Sequence, residues 1–280
     1  MVVPEHVWRA LIHSRLEEVQ EWFDSGDRDL NDIDQIGFTL IHRALQPTPP
    51  ITPERCELVR MMVARGVDVN LHRVSARHPD VRIFTYLHQV METWSEEGVD
   101  LLLELGADAT VHPDGPLEYA FVDDDEFSAD LFRFFNVAVL AKILRAGASL
   151  GFLVADRSPE DHLRYLIEDG RPEAYALEWR EIHEINPFHE VESDFEELDV
   201  DRHVRELNAG IDLISAVRED GSYRAFLRRP HKALLRLRSL RARGRANATA
   251  ATPLFVACVL DPALPHEIAW DILTYWRDAG

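Results

Sequence analysis

The sequence predicts an all-α chain whose first half repeats one helix-pair unit, and three observations carry that prediction. Gly26, Gly66, Gly106 and Gly147 recur 40, 40 and 41 residues apart. Before each glycine runs an apolar face at spacings of three and four, which places those side chains on one side of a helix. Further upstream of three of them stands a second, shorter helical signal: TLIHRAL (39–45), TYLHQV (85–90) and GPLEYAF (115–121). Matched helix ends at a near-constant period are the mark of stacked repeats.

In order, the first unit begins near Trp8-Arg9-Ala10-Leu11 and continues through Val19, Trp22 and Phe23 to Gly26. The second opens at Thr39, a natural N-cap, and its long helix carries Leu58, Met61 and Met62 before Gly66. Between its two helices lies Gln46 to Pro53, whose prolines exclude helix. Thr85 opens the third unit, with Leu101, Leu102 and Leu103 ahead of Gly106; Leu140, Ile143 and Leu144 precede Gly147 in the fourth. Inserts lengthen the turns at Leu71 to Phe84 and Asp123 to Glu126. Each glycine is expected to end its helix in the left-handed conformation, which costs least without a Cβ.

Gly37-Phe38-Thr39-Leu40-Ile41-His42-Arg43-Ala44, followed by Cys56 to Asn70, resembles the ankyrin repeat; so do Thr85-Tyr86-Leu87-His88 and Gly106-Ala107-Asp108. That family has a G-x-T-P-L-H-x-A opening and a second helix ending in L-L-x-x-G-A-D, with V-N at the turn. The resemblance covers roughly 1–150 and implies a helical solenoid whose first unit is a cap. Leu40 and Tyr86 stand where the family has proline, and the period exceeds the family's. By the resemblance, His42 and His88 hydrogen-bond within and between repeats and are not metal ligands. Asn31 and Asn70 are expected to bond turn backbone.

Past Leu150 the period fails. Asp161 to Gly170 reads as a degenerate or capping helix closing the stack. Glu173 to Glu206 carries 12 acids against Arg180, Arg202 and Arg205, with His183 and His189 among them. It lacks zinc-ligand spacing and reads as a solvated acidic connector, not as a metal site. Helical spacing returns with Val204, Leu207, Ile211 and Ile214. Then 221–260 holds nine Lys and Arg and no acid. There Leu234, Leu237 and Leu240 are expected to share one face, with the arginines paired to the acidic stretch or solvated. The organisation predicted is therefore 1–152 repeats, 153–200 capping helix and acidic connector, and 201–280 a helical C-terminal region.

The chain has 280 residues, 46% hydrophobic, with a formal charge of −20. That balance suits a folded protein and disfavours nucleic acid and anionic membrane as partners. Cys56 and Cys258 are the only cysteines, no apolar run approaches membrane length, and the first residues are charged too early for a leader. The expected location is cytoplasmic or nuclear, without secretion. No nucleophile elbow, phosphate-binding loop or dinucleotide fingerprint is present. The reading is a non-enzyme with no cofactor.

The last segment, Ala263 to Trp276, places Pro265 in the first turn of a helix with Ile268, Ile272 and Trp276 as a stripe. Leu264-Pro265-His266-Glu267-Ile268 through Leu273 resembles the opening of F-box modules. Together with LLRLRSLRARGRA (234–246), it is also similar to a SOCS box. Both families recruit ubiquitin-ligase subunits. The resemblance would make Leu234, Leu237, Leu264, Pro265, Ile268, Ile272 and Leu273 an adaptor-binding face. Partner contacts in the repeats are expected at the turn tips, near Asp34 and Gln35, in the Leu71 to Phe84 insert with His72, Arg73, Arg77 and His78, and at His112 to Gly115. The two functional expectations are a protein-interaction module acting as a ubiquitin-ligase substrate receptor, and a scaffold whose last helices only close the core.

Overall fold

A computed structural model of the chain describes residues 3–13, 15–26, 38–45, 51–71, 85–110, 115–121, 135–154, 156–168, 199–247, 249, 252–261, 263–265, 268, 269 and 272, with backbone alone at 254 and 255. Among the described residues the structure is all-α. An isolated β-bridge joins Val154 and Arg157. The chain divides into two units, 1–215 and 216–280, and the division falls inside a helix.

In the first unit the helices are α1 (Glu5–Ile12), α2 (Leu16–Asp24), α3 (Leu40–Ala44), α4 (Pro53–Ala64), α5 (Tyr86–Met91), α6 (Glu96–Glu104), α7 (Pro116–Phe121), α8 (Val137–Arg145), α9 (Pro159–Glu168) and most of α10 (Val200–Asp220). Helices α1, α3, α5 and α7 touch in that order, as do α2 with α4 and α6 with α8. The apolar spacing explains the burial. Val19, Trp22 and Phe23, then Leu58 and Met62, then Leu101 and Leu102, then Leu140, Ile143 and Leu144 are all buried.

The helix ends follow from the glycines. Gly26, Gly66, Gly106 and Gly147 have φ of 141°, 100°, 91° and 106°. At Gly66 the amide donates to Val63 O at 2.9 Å and the Val67 amide to Met62 O at 3.1 Å. Gly106 and Ala107 repeat this on Leu103 and Leu102, and Gly147 and Ala148 on Leu144 and Ile143. This paired closure satisfies carbonyls that the helix itself leaves open.

Trp94 turns the chain between α5 and α6 with φ 47°, a conformation that costs an L-residue about 1–2 kcal/mol. Burial offsets the cost. Its indole lies 4.7 Å from Phe135 and 5.8 Å from Phe121, centroid to centroid, and Phe121 also meets Phe152 at 5.7 Å and His162 at 6.5 Å. This aromatic cluster joins the third and fourth helix pairs to α9, and nothing in the periodicity announces it.

Helix α10 closes the unit. Leu207, Ile211 and Ile214 are buried, and Glu206 Oε2 accepts from the Val137 amide at the start of α8 (3.1 Å). Residues expected at the start of the C-terminal region thus belong to the first unit up to Ser215. At Gly210 a Cβ would press on the edge of the Phe135 ring, 2.7 Å from Cε1, and lie 3.2 Å from Leu163 Cδ1. An exposed helical Gly→Ala gains about 1 kcal/mol, whereas overpacking costs about 1–3 kcal/mol. Phe135 is wedged against Trp94 and cannot yield, so Gly210→Ala is expected to lower the melting temperature. A calorimetric rise would show that α10 does not sit on Phe135.

In the second unit, α11 (Tyr223–Ala242) and α12 (Leu254–Val259) pack together. The sequence expectation of a leucine face on α11 is corrected here. Leu237 is 42% exposed and Leu234 and Leu240 are half-buried, while His231 and Arg238 are buried. The side chain that α11 turns toward α12 is Arg238. Arg238 is spent internally: Nη1 donates to Val259 O at 2.8 Å and Nη2 to Leu264 O. Arg241 donates to Ala257 O at 3.3 Å, and Arg229 pairs with Glu219 at 3.2 Å and Asp220 at 3.6 Å. Most of the acidic stretch expected to receive these arginines lies outside the described residues.

Candidate interaction surface

The short helices α3 and α5 are capped by equivalent threonines, and one of these caps is also bonded to the next pair. Thr39 caps α3, accepting from the His42 amide at 3.4 Å, and its hydroxyl lies 2.9 Å from His42 Nδ1 and 2.8 Å from the Tyr86 hydroxyl. One proton on Thr39 means that it donates to one of these partners and accepts from the other. Thr85 repeats the cap on α5. Its amide donates to His88 Nδ1 at 3.0 Å, which fixes the neutral ring's proton on Nε2. His42 and His88 are fully buried structural groups, as expected.

Tyr86 at the start of α5 reaches back to the preceding pair. It is fully buried and its ring meets His42 edge-on at 4.4 Å. Burial pushes its phenol from 10.0 up to about 12, against the opposing Thr39 hydrogen bond. A folded value above the unfolded one means stability is intact below pH 10 and falls as pH rises through about 12. Tyr86→Phe is expected to cost about 1–2 kcal/mol and to remove a phenol that ionises at about 12 in an ultraviolet pH titration. An unchanged titration curve would contradict this placement.

The turns are tied likewise. Asn70 Nδ2 donates to Gly106 O at 3.2 Å, and its Oδ1 accepts from the Asp108 amide at 2.8 Å. Asp108 accepts from the Thr110 hydroxyl at 2.6 Å and amide at 2.7 Å, and these bonds hold its carboxyl below the usual range. Along the longer helices run Arg65–Asp24 (2.7 Å), Arg60–Glu104 (3.0 Å) and Lys142 with Glu96 (2.7 Å) and Asp100 (2.6 Å). Burial works against the Lys142 charge, but its bonds to Asp100 and Glu96 prevail and raise its pKa. Exposed pairs of this kind set register more than stability.

Of the residues expected to meet a partner, Asp34, Gln35, His72, Arg73, Arg77 and His78 lie outside the described residues, as do 112–114, Leu273 and Trp276. The C-terminal four are described. Pro265 is exposed, Ile268 is 45% exposed, and Leu264 and Ile272 are half-buried. The Ala269 amide donates to Pro265 O at 3.0 Å, so Pro265 opens a helical turn as its sequence position predicts.

Between the turns after α6 and α8 lies a cavity of about 110 Å³ lined by Thr110, Glu118, Ser149 and Phe152 among others. Small-molecule sites run from about 300 Å³ upward, so it is undersized for one. Among the described residues, no three His, Cys, Asp or Glu side chains gather as a metal site would require. His183 and His189 lie outside them. Burial pushes the Cys56 thiol up, away from the thiolate a nucleophile needs. No described helix is long and apolar enough to cross a membrane.

Compared with known proteins, the sequence matches no family model and no curated protein. The site is therefore defined by its own residues.

Proposed function

We propose that the chain is a protein-interaction module built on ankyrin-like repeats, acting as a substrate receptor for a ubiquitin ligase. The observation that carries the interaction reading is the set of bonds from one helix pair to the next, Thr39 to Tyr86 and Asn70 to Gly106 and Asp108. They commit the caps and turn bases to stacking and leave the intervening loop tips free to vary for recognition.

Two features favour a receptor over a scaffold. Ile268 is 45% exposed beside exposed Pro265, in the segment that resembles a docking box. The chain also offers few amines to a ligase held nearby. Its lysines are Lys142 and Lys232, and Lys142 is held between two carboxylates. The scaffold alternative assigns the last helices to the core.

Ile268→Glu discriminates between them, because an exposed side chain is replaced without touching the Arg238 bonds. Native purification of the tagged chain should bring down a cullin or its adaptor, and the variant should lose it while its melting temperature stays unchanged. Retention of the ligase subunit by the variant, or its absence from both preparations, would leave the scaffold reading standing.

A further inference from the structure

Helix α11 also bears a charged surface distinct from Pro265 and Ile268. Arg224, Arg228, Lys232 and Arg236 are all exposed and stand four residues apart, so they form one ridge winding along the helix. At 1.5 Å per residue, the ridge is about 18 Å long with a cation about every 6 Å. Neighbouring like charges at this spacing weaken a helix. The usual remedy is an acid on the same face, and α11 contains no Asp or Glu. Other arginines of this unit are satisfied internally: Arg229 by Glu219 and Asp220, Arg238 and Arg241 by main-chain carbonyls, and Arg243 by Ser239. Among the described residues, the four ridge cations have no acidic partner.

We propose that this ridge is a binding surface for an acidic segment of a partner protein. Charge complementarity selects the polyanion, and the rest of the chain selects its class. An extended polyanion such as a duplex or an anionic lipid surface would also meet the repulsion of a chain of net charge −20, whereas an acidic segment no longer than the ridge meets mainly the local cations within a Debye length. The ridge offers no aromatic side chain on which a base would stack. An acidic helix with carboxylates every four residues has the same rise as the ridge and can pair with it cation by cation. This surface stands whether or not Ile268 docks a ligase subunit.

The test uses the full chain and a fluorescein-labelled peptide of three Glu-Glu-Ala-Ala repeats, followed by anisotropy at two salt concentrations. The ridge variant is R224Q/R228Q/K232Q/R236Q. A charge-matched control removes four exposed cations elsewhere, R9Q/R145Q/R202Q/R205Q. The expected result is binding that weakens with salt, falls at least tenfold in the ridge variant, and falls less than threefold in the control. Removing the like charges should leave the variant at least as heat-stable as the parent. Absence of binding to the parent, or equal loss in both variants, overturns the proposal. So does tighter ridge-dependent binding of single-stranded oligothymidine, or of phosphatidylserine vesicles, at physiological salt.

Discussion

Replacing Phe121 by alanine is expected to cost about 3–5 kcal/mol, the range for emptying a fully enclosed aromatic site. Phe121 has no exposed surface and meets Trp94, Phe135, Phe152 and His162. Those partners come from the turn after α5, the entry to α8, the segment before α9, and α9 itself. The cavity would open at the joint between the third pair, the fourth pair and the closing helices, where no single element can move in to fill it. It would also strand Trp94 in its left-handed turn without the packing that offsets the cost. Denaturant unfolding measures the loss directly. Leu153→Ala, 63% exposed in the same stretch of chain, serves as the control and should stay within about 0.5 kcal/mol of the parent. A Phe121→Ala loss below about 1 kcal/mol would mean that the cluster is not the joint described.

The second large effect is expected at Arg238. Its guanidinium is buried and serves the carbonyls of Val259 and Leu264. Arg238→Met keeps the aliphatic volume and leaves both acceptors without that donor, at about 1–3 kcal/mol each. Amide exchange in 254–260 should accelerate by orders of magnitude, with the repeat helices unaffected. Arg236→Met, on the exposed side of the same helix, should change nothing in that measurement. Equal protection in Arg238→Met and the parent would place the guanidinium outside the core of this unit. The same change should weaken any partner held through Leu264 and Ile268, because the turn presenting them hangs from Arg238.

Much of the first unit could be read before any coordinates, for reasons that are local. A glycine ending an apolar helix, a threonine opening a short one and an asparagine in a turn each act through bonds within a few residues. Gly66, Thr39 and Thr85 accordingly sit as the sequence predicts, and Asn70 bonds turn backbone. What the sequence concealed depends on partners far apart in the chain. Tyr86 carries no local signal of its role, and its use is seen only when its hydroxyl reaches Thr39, 47 positions away. Trp94, Phe121, Phe135, Phe152 and His162 share no period, so only packing reveals them as one cluster. Arg238 reads as one more solvated arginine until α12 presents its carbonyls. The α11 leucines misled because the helix turns Arg238 toward α12, a partner that the leucine spacing does not reveal. The candidate partner loops were read from turn position alone, and the charged side chains of the Leu71 to Phe84 insert still stand as sequence expectations.

That insert is where the interaction reading is most directly tested. The tagged full-length chain would be purified under native conditions beside H72S/R73S/R77S/H78S, with the co-purifying proteins quantified by mass spectrometry. The account predicts at least one protein held near stoichiometry by the parent and lost from the fourfold variant, with both chains melting at the same temperature. An identical set of partners on both chains, or a parent that purifies alone, would contradict recognition through the repeat tips.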